Sequence, residues 1–213
     1  MSLSREVLFV ILQEVEVNNL YRLSSVCKEY KSLCKDKGLW KRIFSKYGLT
    51  MLKKNKSVCT WISNFTVSSA SKEKINRYME RVDKVRNLKN VVMPLELRDV
   101  RHASVIHIPK VTNKDELEFL IHQDRIFSAS LSPTKPYSKM FLELYKMSGE
   151  YYMRIKEKGM LDEKIVVYKK YKLSKRQVSY LLYKLAYYCL FLQNISLPRE
   201  EEGRSVCGYN TVY

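Results

Sequence analysis

The chain has 213 residues, 46% hydrophobic and 29% charged, which is enough apolar material to bury a core in one domain or two small ones and too much for a disordered chain. It carries 39 basic against 22 acidic residues, a formal charge of +17, which points to acidic partners or surfaces. The longest apolar stretch, 180–195, is interrupted by Lys184 and Gln193 and is too short to span a bilayer. No basic start and cleavage site accompany the first apolar residues, so neither a membrane span nor a signal peptide is expected. Five scattered cysteines without a CxxC pair (Cys27, Cys34, Cys59, Cys189 and Cys207) argue for a reducing compartment, cytoplasmic and/or nuclear.

In chain order, Leu8, Ile11, Leu12 and Val15 form a helical stripe, with Ser4 placed to cap it and Glu6 in its positive first turn. Leu20, Leu23, Val26, Cys27, Tyr30, Leu33 and Cys34 then recur three or four apart, the spacing of further helix faces. Gly38 breaks the run, and Leu39, Trp40, Ile43, Phe44 and Tyr47 add a bulky cluster that stops at Gly48. Residues 1–48 therefore read as a small helical module. A core that size is marginal alone and has to dock on the rest of the chain or on a partner.

This pattern resembles the F-box: Leu3, then Glu6-Val7-Leu8, Ile11-Leu12, Leu20 and Leu23, Val26-Cys27-Lys28, Tyr30, and Leu39-Trp40-Lys41. Ser4 stands where the family usually has proline, at the contact with the adaptor, and Tyr30 stands where tryptophan is commoner. The resemblance implies docking to a Skp-type adaptor of a cullin ubiquitin ligase through part of the set Leu3, Leu8, Ile11, Leu20, Leu23, Val26, Cys27, Tyr30, Leu39 and Trp40. Periodicity alone is equally satisfied by those side chains forming the module's own core.

Residues 49–89 form a basic helical segment with ten basic against three acidic residues over 49–93. Trp61, Ile62 and Phe65 have helical spacing, the serine-rich 68–71 stretch predicts a break, and 71–88 predicts a second helix with Ile75, Tyr78, Met79, Val82 and Val85 inward. Lys53, Lys54, Lys56, Lys74, Arg77, Arg81 and Lys84 form a candidate polyanion strip. A solvated helix face explains the same residues without a ligand.

Residues 90–197 predict an α+β module that would hold a target. Two short proline-flanked strands are expected at 90–97 and 103–109, and Asn113 with Glu116 opens a helix through Leu117, Leu120 and Ile121. Strands follow at 126–132, 139–147, 151–159 and 164–173, as an antiparallel meander with one wet face. Ser174 with Gln177 starts a helix carrying Val178, Leu181, Leu182, Leu185, Cys189 and Leu192, suited to cover the dry face. Residues 198–213 are a tail. The fold class expected is α+β: helical module, basic helical segment, then antiparallel sheet plus helix.

Catalysis is not expected. His102 and His107 lack metal-ligand company, no glycine-rich phosphate loop is present, and Asp115-Glu116 suits a helix start, so no cofactor, metal or catalytic residue is assigned. Tyrosines near basic residues (Tyr145, Tyr151, Tyr152, Tyr168, Tyr171) could stack on bases, sit at a protein interface or simply rim the sheet. The resemblance implies a non-catalytic adaptor that raises the local concentration of an unknown protein target beside a ubiquitin-charged enzyme. An F-box joined to an orphan basic domain is similar to many proteins of large DNA viruses, for which the target and compartment belong to the host cell. The alternative is a nucleic-acid-associated or virion structural protein whose helical module is only packing.

Overall fold

The structure is a computed structural model that describes residues 4–129, 138–159 and 165–188. Four short helices come first: α1 (Arg5–Glu14), α2 (Leu20–Ser24), α3 (Lys28–Lys35) and α4 (Lys37–Lys46). Their starts are written locally. Ser4 Oγ accepts from the Val7 amide, Cys27 Sγ from the Tyr30 amide, and Asp36 Oδ1 from the amides of Gly38 and Leu39, which satisfies donors that a helix N-terminus leaves open. Gly48 takes a positive φ of 60° after α4, a conformation glycine adopts freely.

Next comes α5 (Val58–Lys84), a single helix of 27 residues, opened by a reciprocal cap between Ser57 and Thr60. At 1.5 Å per residue it is a rod of about 40 Å. The break expected at 68–71 is absent, and the second helix ends at Lys84 rather than at Leu88. Serine is tolerated inside a helix when packing holds it, and here Ser68 and Ser71 are both buried, Ser68 against Tyr183. The rod belongs to two cores. Its first half gives Val58 and Trp61 to a cluster with Leu8, Leu12, Leu20, Trp40 and Phe44. Its second half gives Ile75, Tyr78, Met79 and Val82 to the cluster beneath the sheet.

The sheet is antiparallel, ordered β1 (Leu95–Glu96), β2 (Ser138–Met147), β3 (Glu150–Gly159) and β4 (Ile165–Leu173). Positive φ at Ser148 and Gly149 closes the β2–β3 hairpin, and the β3–β4 register shifts between Ile155 and Lys156. Helix α6 (Lys114–Ala129), capped by Asn113, and α7 (Lys175–Tyr187), capped by Ser174 and Gln177, complete the fold. Val178, Leu181, Leu182 and Leu185 of α7 are buried in the cluster that includes Leu142, Leu144, Met153 and Ile155, so α7 covers the dry face as expected. Cys189, Leu192 and the tail lie outside the described residues.

Two strand expectations fail. Residues 103–109 form a short 3-10 turn, Ala103–Val105, followed by irregular chain. The edge of β2 is occupied by residues 88–96: Leu88 and Lys146 exchange two backbone bonds of 2.8 Å, and Val91 donates to the Leu144 carbonyl. The freed carbonyls of Ser104 and His107 are instead taken by the buried ammonium of Lys184. The strand expected at 126–132 is helical through Ala129, where α6 continues its buried stripe of Leu117, Leu120, Ile121 and Asp124; the remainder lies outside the described residues. From the 90–97 run only Leu95–Glu96 is a strand.

Candidate protein-docking site

The ten adaptor positions divide by burial. Leu8, Leu20, Leu39 and Trp40 are buried in the module's own core, and Trp40 Nε1 donates to the Cys34 carbonyl at 2.8 Å. Leu23 and Tyr30 are half-buried against that core. Ile11, Val26 and Cys27 face solvent, with Val26 as much as 68% exposed. Leu3 lies outside the described residues. Cys27, which spacing puts on a helix face with Tyr30 and Cys34, is the exposed N-cap of α3, whereas Cys34 is buried and its thiol is pushed up to about 11 by burial.

The exposed apolar set is wider than the expected one. Val7 and Val10 join Ile11 on the outer side of α1, and Tyr21 is exposed on α2. Residues 7–12 are six consecutive apolar residues, more than one helix face can turn inward, and that excess is the signal that would have found Val7 and Val10. In the structure Leu8 and Leu12 go inward and Phe9 is half-buried under the Arg42 guanidinium, 5.1 Å from its ring centre. Glu6 sits in the first turn of α1, where backbone and Ser4 hydrogen bonds hold its carboxyl below the usual range.

The seven basic positions do not form one strip. Lys74, Arg77, Arg81 and Lys84 line one stripe of α5, with Arg77 held by Glu73 one turn away. Lys53, Lys54 and Lys56 precede the helix, and its first residue, Val58, is 16 residues from Lys74, about 24 Å along the axis. Lys53 lies over the rings of Tyr187 and Tyr188. Among the described residues no group of three or more His, Cys, Asp or Glu is placed to hold a metal ion, and no helix is long and apolar enough to cross a membrane. His107 Nδ1 lies 3.0 Å from Thr112 Oγ1, and His102 precedes the 3-10 turn.

The helical core, completed by Val58 and Trp61 of α5, leaves Val7, Val10, Ile11 and Val26 exposed on its first helix and first turns. The F-box-like family model matches residues 5–46, so the chain carries an F-box-like domain there. Comparison with curated proteins and with solved structures gives no match. An F-box domain implies binding to a Skp-type adaptor, and F-box proteins are generally non-catalytic adaptors.

Proposed function

We propose that this chain is the substrate-recruiting subunit of a cullin ubiquitin ligase. Its F-box-like domain docks to a Skp-type adaptor through Val7, Val10, Ile11, Val26 and Cys27, while residues 90–197 hold the target. The observation that carries the reading is the coincidence of the matched segment, 5–46, with an exposed apolar surface on a module whose core is already closed. Leu8, Leu20, Leu39 and Trp40 support that surface from beneath. Helix α5 supports the same reading: shared by both cores, it holds the target-binding part at one distance and orientation from the ligase, which raises the effective concentration of a target lysine beside the charged enzyme.

The test is co-elution of the full chain with purified Skp-type adaptor and cullin at about 0.5 M salt, where attraction between exposed charges is screened. A stoichiometric complex is expected; a folded chain that elutes alone would contradict the proposal.

A further inference from the structure

The two edges of the sheet differ. The β1–β2 edge is covered by residues 88–96, while among the described residues nothing pairs with the outer side of β4. Folded proteins usually blunt a free edge by keeping it short or charged, because its open backbone donors and acceptors template another strand. β4 is nine residues long and its first half is apolar on both faces. Ile165 and Val167 lie opposite Lys158 and Lys156 on the face away from the helices, Val166 lies on the other face, and these three are 42–52% exposed.

The charge beside this edge is positive and incompletely paired. Arg154 and Lys156 share the one carboxylate of Glu143, and Lys172 is paired with Glu150. Among the described residues Lys158 and Lys170 make no ion pair, and Lys170 Nζ stands 4.8 Å from the ring centre of Tyr152.

From this juxtaposition we infer that β4 captures an acidic, extended segment of a partner protein as an added antiparallel or parallel strand. Backbone bonds along the edge supply affinity, the side chains around Val166 and Val167 accept alternate apolar residues, and Lys158 and Lys170 select for carboxylates. A second copy of this chain is a poor occupant, since it brings an equally basic strand and a net charge of +17. Nucleic acid is the poorer fit as well. The rings of Tyr145 and Tyr152 stack on each other at 5.3 Å, and Lys170 and Arg154 cover them, so the faces a base would use are occupied. The inference rests on the adaptor reading in that it assigns where a target is held, and its test is independent of the Skp-type adaptor.

The experiment titrates the full chain with a fluorescein-labelled peptide of alternating Glu and Val, and follows hydrogen exchange of the backbone amides of 165–173. Poly-glutamate and oligo(dT) serve as charge-only and nucleic-acid probes. Saturable peptide binding that slows exchange in β4 is expected, weakened about tenfold or more by K170E and by Val167→Asn in variants that remain folded. Unchanged exchange in β4, equal binding by both variants, or oligo(dT) or poly-glutamate binding as tightly as the peptide would overturn the inference. Loss of peptide binding with adaptor binding intact sinks this inference alone; the converse sinks the ligase reading alone.

Discussion

The indole rings of Trp40 and Trp61 stack face to face, their centres 5.5 Å apart and their planes within 8°. Trp40 closes the F-box-like core from α4, and Trp61 reaches it from the long helix that continues beneath the sheet. The α5–α7 contact is fastened further along by Tyr187, whose hydroxyl donates to Asn64 Oδ1, while Asn64 Nδ2 donates to the Lys53 carbonyl. Tyr183 ties α7 to the Thr50 carbonyl at 2.8 Å. The N-terminal module and the sheet are thereby joined by packing and hydrogen bonds as well as by chain.

Trp61→Ala removes a fully buried ring and should destabilise the protein by about 3–5 kcal/mol. Because α5 serves both cores, urea unfolding followed by far-ultraviolet circular dichroism should remain one cooperative transition, moved to lower urea. A fragment of residues 1–48, deprived of Val58 and Trp61, should lack stable helix.

Exposed and buried apolar positions should separate binding from folding. Val10→Asp, on the outer side of α1, should change stability by less than about 0.5 kcal/mol and abolish adaptor binding. Leu12→Asp places an unpaired charge in the closed core and should unfold the module, which thermal denaturation would show directly.

Asp124 fastens α6 to two other elements, its carboxylate oxygens accepting from the amide of Arg98 at 2.8 Å and that of Met140 at 3.0 Å. Asp124→Ala leaves those amides without this partner, at a cost of about 2–4 kcal/mol by chemical denaturation. Asp124→Asn keeps an acceptor and should cost less.

Lys184 is buried on α7, and burial pushes its ammonium down to about 8. Between that value and the ordinary lysine range the unfolded chain holds a proton that the folded chain has released, so stability rises with pH through this window. The contribution is on the order of 3 kcal/mol across it. Denaturant midpoints at pH 8 and pH 10 should show the gain in the wild type relative to Lys184→Met, in which it is absent.

Much of the fold is legible in the sequence because it is decided locally. Ser4, Asn113 and Ser174 cap helices within three residues of themselves, and the alternation in 151–159 survives as β3. The serine stretch at 68–71 misleads because helix continuity there is set by burial of Ser68 and Ser71 against distant elements, which no local propensity records. Residues 103–109 have strand composition, but the β2 edge is already taken by residues 88–96. Within the docking set, spacing groups Leu8 with Ile11 and Leu20 with Val26, yet only packing decides that Leu8 and Leu20 close the core while Ile11 and Val26 face outward. The exposure of β4 is likewise a property of strand order, invisible in its alternation.

Isothermal titration of the full chain with purified Skp-type adaptor at about 0.5 M salt, beside the Val10→Asp variant, tests the ligase role most directly. A one-to-one complex from the wild type and none from an equally folded variant is the expected result. No heat of binding from folded wild-type protein, or equal binding by the variant, would contradict it.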